Sequence, residues 1–313
     1  MGIARGMIKL LMREGRERKF TGNIITAGKQ DVYATADDVR KWAAEMNFEL
    51  NSDVDIEISS IEEFKKLKYI SDVTFFKMLG FNKVDSLDYS DYQGCTILHD
   101  LNYPIPKDLE GKYELVFDGG TMEHVYDVAM VMSNFNALTK ISGRIIHASP
   151  SSNHTDHGLY MFSPTFFVDY YETNKWELLE TLLFEYKPSS TLGLGFLNRW
   201  KIYKYAPGSL DTWIFGGYKG MFGIFNVALK QSNSTIENKV YQGAYRKMLE
   251  LKQEQNLSSP DIQKFFESKT IIQKIAFSRT ILSSNVKNKI RPFYYKIANL
   301  LPLYVHLRLI ARY

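Results

Sequence analysis

The segment at residues 112–125 constrains the fold of this chain more than any other. An apolar run ends at Phe117 and leads into Asp118, two glycines and Thr121, and a helical pattern begins at Met122. A buried parallel strand has this nearly continuous apolar composition. A carboxylate and glycines at its carboxyl end mark the usual ligand-binding edge of an open α/β sheet. The segment therefore predicts a strand, a site and a helix, in that order.

The same alternation of strands and helices extends over most of the chain. Periodicity predicts strands at 23–27, 84–88, 95–98, 113–117, 143–148, 176–186 and 224–229. It predicts helices at 7–12, 35–46, 61–79, 122–138, 166–174 and through most of 232–260. This pattern is typical of an α/β fold with a doubly wound, mostly parallel sheet and helices on both faces. Right-handed crossovers then gather the residues that follow the strands, among them Gly28, Asp88, Asp100 and Asp118, at one edge.

Three parts are predicted along the sequence. Residues 1–20 form a basic N-terminal helix, residues 21–230 form the α/β domain, and residues 231–313 form a helical extension with a basic amphipathic tail. The single cysteine, Cys95, excludes an internal disulfide and is expected to be buried in a reducing compartment. We find no secretory signal pattern and no uncharged apolar run long enough to span a bilayer, so a cytoplasmic protein is predicted.

The net charge of +4 is unevenly distributed along the chain. Residues 1–20 carry +4 and residues 269–313 carry +9, which leaves the middle strongly acidic. Aromatic and aliphatic residues alternate with cations in the tail, as in a helix that lies on the inner, anionic face of a membrane. A helix that packs on the body with a solvated basic face explains the tail equally well. No recognition motif supports a nucleic acid partner.

Two acids follow neighbouring predicted strands. An acid at the position of Asp88 typically accepts hydrogen bonds from ribose hydroxyls, although a solvated turn acid is at least as common there. Asp100 is placed to accept from an adenine amino group, or else it forms an Asx turn before Pro104. Two such acids in succession favour a nucleoside ligand more than either acid alone.

With these acids, the segment FDGGTMEHV at 117–125 resembles the class I S-adenosylmethionine-dependent methyltransferases. In that family a Leu-Glu-His-Val helix start often follows the fourth strand, and here Met122 stands in place of the leucine. The resemblance covers roughly residues 20–230. It implies a Rossmann-like sheet of the seven-stranded type and S-adenosyl-L-methionine as cofactor.

The resemblance also implies a set of cofactor-binding residues. They are Gly28, Gln30, Asp88, Asp100, Leu101, Asp118, Gly119 and Thr121. The chain departs from the family at the loop after the first strand, which is normally rich in glycine. Here only Gly28 is available for close approach, with Lys29 or Gln30 left to add a side-chain contact. A non-catalytic Rossmann-like binding or assembly protein at a membrane surface is therefore the alternative function.

Five of the six histidines lie between residues 99 and 157. Methyl transfer to a hydroxyl or amine requires in-line positioning and a base that removes a proton, and histidine suits that role. We predict His157 or His154 as this base, with His157 ahead because Gly158 allows a tight loop. His124 and His147 are expected to satisfy backbone groups in the core.

A metal site is the alternative for the same loop. His154 and His157, with Asp156, offer ligands, but no third ligand follows at a recognisable spacing, so no metal is predicted. The sequence thus predicts methyl transfer to an oxygen or nitrogen of a small-molecule, glycan or lipid-linked sugar acceptor.

Overall fold

The computed structural model describes residues 2–187, 200–207, 220–243 and 308–313. Its strands are β1 (Gly2–Ile3), β2 (Asn23–Ala27), β3 (Asp31–Val32), β4 (Lys83–Asp88), β5 (Ile97–Leu98), β6 (Tyr113–Asp118), β7 (Thr139–Ser152), β8 (Glu177–Tyr186), β9 (Lys201–Lys204), β10 (Met221–Leu229) and β11 (Arg308–Arg312). Its α-helices are α1 (Arg5–Glu17), α2 (Ala36–Met46), α3 (Glu62–Lys66), α4 (Asp72–Leu79), α5 (Val128–Leu138) and α6 (Pro164–Thr173). The predicted alternation of strands and helices is confirmed.

Nine of these strands form one sheet, in the order β11-β9-β8-β10-β7-β6-β2-β4-β5. Strands β2, β4, β5, β6 and β7 run parallel, and β10 is antiparallel to both of its neighbours. When the five parallel strands are numbered by their order in the sequence, they lie side by side as 3-2-1-4-5, which is the doubly wound arrangement. The predicted seven-stranded, mostly parallel sheet extends from β5 to β8, and β9 and β11 lengthen it.

Helices cover both faces of this sheet. On one face Ile24 and Phe117 pack with Phe75 of α4 and with α1 and α2. On the other face Val116 packs with Phe135 of α5 and with α6. Successive residues of a strand point to opposite faces, so neighbouring residues of β6 belong to different cores. The layered α/β class follows from this alternation.

The basic N-terminal segment forms helix α1, which packs on the sheet. Arg13 donates two hydrogen bonds to Glu180, at 2.6 and 2.8 Å, and the buried Glu14 carboxylate accepts from Arg144. These charges are neutralised within the chain. The charge of Arg13 is therefore not available to an anionic partner. The boundary at residue 20 between the N-terminal helix and the α/β domain stays a prediction.

The single helix predicted over 61–79 is wrong, because α3 and α4 replace it. Lys68 between them has a positive φ of 55°, and the Ser71 hydroxyl caps α4. The Ile70 N–H donates to the Ala34 carbonyl at 3.0 Å, which ties this residue to the loop before α2. Periodicity misses the break because Ile70 is apolar and in phase with the helices on either side.

The helix predicted over 122–138 begins later than expected. Met122–His124 form one 3-10 turn, and α5 starts after the capping residue Asp127. The Met122 N–H donates to the Asp118 carboxylate at 3.2 Å, which holds the turn at the end of β6. A side chain from the strand thus replaces the helical hydrogen bond that the pattern implied.

Strand β5 is shorter than the predicted strand at 95–98. Cys95 lies outside it and is partly exposed, whereas the sequence predicted a buried thiol. The Thr96 N–H and hydroxyl bind the Ser86 carbonyl at 3.1 and 3.0 Å and thereby fix the entry to the strand. The edge position of β5 explains the exposure, because only one neighbouring strand covers it.

The C-terminal prediction is only partly testable. Residues 231–242 form turns instead of a helix, and Arg308–Arg312 form the edge strand β11, paired with β9. The helical extension is therefore wrong for these residues, and residues 244–307 of the predicted extension lie outside the described ranges. Among the described residues, no helix has the length and apolar character needed to cross a membrane.

Candidate functional site

The carboxyl ends of β2, β4 and β6 meet at one edge of the sheet. The strand register sets Ala27 beside Leu87 on one side and beside Asp118 on the other. The Gly28 N–H donates to the Leu87 carbonyl at 2.7 Å, and the Thr121 hydroxyl donates to the Ala27 carbonyl at 2.6 Å. The topological switch point, where ligands bind in such sheets, lies between β2 and β6.

Two glycines allow close packing in this crevice. Gly28 has a φ of +72°, and a Cβ there would lie 2.7 Å from the Thr121 hydroxyl oxygen. A Cβ on Gly119 would lie 2.2 Å from the Gln30 side-chain oxygen. The two loops therefore approach closely because neither position carries a side chain.

Gln30 fills the space that these glycines create. Its side-chain amide donates to the carbonyls of Ala27 and Gly28 at 3.0 and 3.2 Å, and the residue is buried. Its Oε1 has no hydrogen-bond donor among the described residues. The described residues therefore leave this buried acceptor unsatisfied, and an N–H or O–H of a ligand or a water would satisfy it.

A polar cavity of about 340 Å³ opens beside this loop, at the N-terminus of α4. Residues that line it include Lys29, Asp31, Ser59, Ser71, Asp72 and Gln93. The Lys29 ammonium binds the buried Asp72 carboxylate at 2.7 Å. This pair anchors the loop after β2 to helix α4, at the place where the resemblance implied a glycine-rich loop.

Asp88 ends β4 and faces the crevice. One carboxylate oxygen accepts the Lys29 N–H at 3.1 Å and the other accepts the Ser90 N–H at 3.2 Å. A carboxylate has about four acceptor positions, so each oxygen keeps one for a ligand. The residue is partly buried, which strengthens hydrogen bonds to it.

Asp100 and Leu101 are placed less favourably for a ligand. One oxygen of Asp100 accepts both the backbone and the side-chain N–H of Asn102, at 2.9 and 2.8 Å, which is the Asx turn. Leu101 is buried in the core on the α5 face. Contact with a cofactor stays a prediction for both Asp100 and Leu101.

Asp118 is occupied by contacts within the protein, and its predicted contact with the cofactor stays a prediction. It is fully buried, and its oxygens accept from the N–H groups of Thr121 and Met122, from Ser149 and from His147. Burial alone would raise the pKa of Asp118, but these partners, His147 first, hold it below the ordinary value. Asp118 therefore positions the loop at 119–122. In this loop Gly119 and Thr121 lie against the segment that follows β2.

His147 lies in the core, as the sequence predicted. Its Nδ1 lies 2.9 Å from Asp118 Oδ2 and its Nε2 lies 2.6 Å from the Tyr171 hydroxyl. Its partners are side chains instead of the expected backbone groups. Burial raises the pKa of Tyr171 well above its usual value, so this phenol stays protonated and serves as a fixed hydrogen-bond donor.

A second group of side chains meets at the same edge, beyond β6 and β7. We call Glu123, His124, His154 and His157 the Glu-His cluster. The ring centroid of His157 lies 5.2 Å from that of His124 and 5.6 Å from that of His154. His157 Nε2 lies 3.5 Å from a carboxylate oxygen of Glu123. Both histidines predicted as bases therefore belong to one cluster, together with two residues that the sequence assigned elsewhere.

The cluster forms because the loop at 153–160 docks on the turn after β6. The N–H groups of Leu159 and Tyr160 donate to the Glu123 carbonyl at 2.8 and 3.2 Å. A Cβ on Gly158 would lie 2.9 Å from the same carbonyl oxygen, which explains why glycine is needed in this tight loop. His124 is exposed, so its predicted place in the core is wrong.

Burial dominates the electrostatics of the cluster. It raises the pKa of Glu123 to about 8, and the nearby Asp118 charge adds to this effect. Burial, followed by the charge of His157, lowers the pKa of His154 to about 4. Burial also lowers the pKa of His124 and of His157. The three imidazoles are therefore neutral at pH 7 and keep a lone pair for a proton or a metal ion.

Access to the cluster differs among its members. His154 is buried and its ring packs against Tyr186, 5.8 Å between centroids, so an acceptor does not reach it directly. The His157 side chain is 32% exposed. Tyr126, Leu159 and Met161 follow the cluster residues in sequence and have exposed side chains, and we call these three residues the rim of the cluster.

The doubly wound strand order and the crevice at its switch point identify the architecture. The chain has a doubly wound, Rossmann-like α/β fold. No protein-family model and no curated protein matches the sequence. The fold assignment therefore rests on the strand order of the chain itself.

Solved structures that align with this chain do so at low identity. One is a 1,6-didemethyltoxoflavin N1-methyltransferase from Burkholderia thailandensis, bound to its substrate and S-adenosylhomocysteine, with 10% identity, 72% of this chain and 77% of that chain covered, and a TM-score of 0.35. Another is an S-adenosylmethionine-dependent methyltransferase from Archaeoglobus fulgidus, with 12% identity, 72% and 96% covered, and a TM-score of 0.37. A phosphoethanolamine N-methyltransferase from Haemonchus contortus aligns with 10% identity, 72% and 52% covered, and a TM-score of 0.36.

Proposed function

We propose that this protein transfers a methyl group from S-adenosyl-L-methionine to an oxygen or nitrogen atom of a small-molecule acceptor. The observation that carries the proposal is the arrangement of the sheet edge. Asp88, Gly28 and Gln30 lie on the β2 and β4 side of it, and the Glu-His cluster lies beyond β6 and β7. A cofactor on one side and an acceptor on the other would meet above β6.

The residues on the cofactor side fit this ligand. Asp88 has acceptor positions left for ribose hydroxyls, and Gly28 lets the backbone approach the ligand closely. The unpaired Oε1 of the buried Gln30 is an acceptor for the ammonium group of the methionine part. The bound cofactor supplies a methyl group on a sulfonium centre.

The task of the chain is then to orient the acceptor and to remove its proton. The loop that carries His157 is fixed to the turn after β6, so the ring is positioned before the acceptor binds. His157 and His154 remain the proposed proton acceptors of the Glu-His cluster. His157 is the one that an acceptor reaches, because His154 is buried.

The rim of the Glu-His cluster suggests the kind of acceptor. Tyr126 is 78% exposed and Leu159 is 61% exposed, and exposed apolar groups that lie together mark binding sites. Such a rim suits an acceptor with an apolar or sugar face, and an exposed aromatic ring stacks well on a sugar. We therefore favour a glycan or lipid-linked sugar acceptor. Membrane association through residues 269–307 stays a prediction, since these residues lie outside the described ranges.

Calorimetric titration with S-adenosylhomocysteine tests the proposed function. We expect stoichiometric binding to the full chain and a dissociation constant raised about 30- to 1,000-fold in Asp88→Ala, because two charge-assisted hydrogen bonds of roughly 1–2 kcal/mol each are lost. Asp88→Asn should bind with intermediate affinity, since its carbonyl oxygen still accepts.

Asp91→Ala is the matched control for this titration. Asp91 is exposed, lies three residues from Asp88 and has no side-chain partner among the described residues, so its replacement should leave the dissociation constant unchanged. Thermal melts of all variants check that each is folded. Failure of the wild-type chain to bind S-adenosylhomocysteine would reject the methyltransferase proposal and favour a non-catalytic binding or assembly protein.

A further inference from the structure

Glu123 is a buried carboxylate that the protein leaves without a partner. Its side chain is fully buried, and neither oxygen has a hydrogen-bond donor among the described residues. The Nε2 atom of His157 is also buried and has no hydrogen-bond partner among the described residues. It lies 3.5 Å from Glu123 Oε1. An ionised carboxylate buried without a hydrogen bond or counter-charge costs several kcal/mol, so a carboxyl group in this position is either protonated or bound to a cation. A cation between the two side chains would stabilise the ionised form.

The geometry around Glu123 matches a three-ligand metal site. Glu123, His124 and His157 each offer one ligand atom, and these atoms lie within 4.8 Å of one another. Ligand atoms at ~2.1 Å from a tetrahedral ion lie roughly 3.4 Å apart. The distance of 3.5 Å between Glu123 Oε1 and His157 Nε2 already fits. His124 is exposed, so its ring has room to rotate into place.

We infer that Glu123, His124 and His157 together bind one divalent transition-metal ion such as Zn²⁺. Two imidazoles and one carboxylate suit such ions, whereas Mg²⁺ and Ca²⁺ prefer oxygen ligands. Three protein ligands leave a position free for water or an acceptor oxygen, and the exposed His124 lies on the solvent side. Binding of the ion does not depend on the methyl-transfer proposal, and while the ion is bound His157 Nε2 is a ligand and does not accept a proton.

This site differs from the metal site that the sequence offered as an alternative. That alternative used His154, His157 and Asp156, three residues of one loop. Asp156 is exposed and is not part of the group whose ligand atoms converge. The missing ligands come instead from Glu123 and His124, which are thirty residues upstream and are brought in by the docking of the loop on the Glu123 carbonyl.

Metal titrations of the tag-free, chelator-stripped full chain test the inference. We expect one Zn²⁺ per chain by calorimetry and the visible absorption bands of low-coordinate Co²⁺ when Co²⁺ replaces it. Glu123→Gln, which keeps the shape of the side chain, and His157→Gln should weaken Zn²⁺ binding by more than ~100-fold. Zn²⁺ should raise the melting temperature of the wild type and leave that of Glu123→Gln unchanged. Mg²⁺ should do neither.

Asp156→Asn and His99→Gln are the matched controls. Asp156 has a positive φ of 64°, which asparagine tolerates, and His99 lies away from the cluster and bonds the Tyr103 carbonyl. Both variants should bind Zn²⁺ like the wild type. Absence of stoichiometric Zn²⁺ binding, or full retention of it in folded Glu123→Gln, would overturn the inference. If Glu123→Gln does not fold, His124→Gln decides, because that side chain is exposed.

Discussion

Asp118→Ala should lower the free energy of unfolding by about 3–5 kcal/mol, because it leaves buried polar groups without their partner. The carboxylate accepts from two backbone N–H groups, those of Thr121 and Met122, and from His147. All of these bonds lie at the end of β6, where water does not reach them. Urea denaturation at pH 7, followed by circular dichroism, measures the loss.

Two comparisons sharpen the Asp118 experiment. Asp118→Asn should cost less than the alanine variant, because its carbonyl oxygen still accepts the backbone N–H groups. Asp91→Ala, an exposed acid, should change the unfolding free energy by less than about 0.5 kcal/mol. Equal stability of Asp118→Ala and the wild type would mean that the loop at 119–122 does not depend on this carboxylate.

The effect of Asp118 should also depend on pH. Its folded pKa lies below the ordinary value, so its contribution is fully present above the unfolded pKa of about 4. The contribution is lost as the pH falls through the lower folded pKa. The difference between wild type and Asp118→Ala should therefore shrink in acid, which unfolding curves between pH 7 and pH 3 would reveal.

Glu14→Leu should destabilise the protein by about 3–5 kcal/mol, since it leaves the Arg144 guanidinium buried without its carboxylate. Among the described residues, Arg144 then keeps only the Lys19 carbonyl, at 3.4 Å, and the Phe20 ring, whose centroid lies 5.1 Å away. Arg144→Met should cost less, because Arg18 still pairs with Glu14 at 2.8 Å and is itself partly exposed. Chemical denaturation of both single variants measures this asymmetry.

The double variant Glu14→Leu with Arg144→Met should regain most of the loss. Burial is the largest effect on both groups, raising the pKa of Glu14 and lowering that of Arg144 despite their mutual attraction. The desolvation of the pair therefore offsets most of its Coulomb energy, and two apolar side chains of similar size are nearly as stable. A double variant as unstable as the sum of the singles would contradict this account.

The pairing of α1 also changes how the charge of the chain is understood. The sequence shows a cationic N-terminus, which alone indicates a surface for anionic partners. In the structure Arg13 binds Glu180 and Glu14 binds Arg144, so this end is joined to the sheet. The other basic end of the chain includes residues 269–307. Binding of this segment to an anionic membrane surface stays a prediction.

The sequence by itself determined the fold class and the edge of the sheet that carries the site. Apolar periodicity is a property of short segments, and the acids and glycines directly follow predicted strands, so β2, β4 and β6 and the position of the crevice could be predicted. The breaks at Ser71 and at Asp127 could not, because they depend on hydrogen bonds from distant parts of the chain or from side chains of neighbouring elements.

Only the tertiary structure decided which side chains at that edge are free to act. In the sequence Asp88 and Asp118 both follow an apolar strand and look alike. In the structure Asp88 keeps acceptor positions for a ligand, whereas the Asp118 oxygens are hydrogen-bonded to His147 and to backbone N–H groups. Glu123 joins His157 across more than thirty residues because a loop docks on its carbonyl. Hydrogen bonds between loops depend on packing in three dimensions, and no local pattern encodes them.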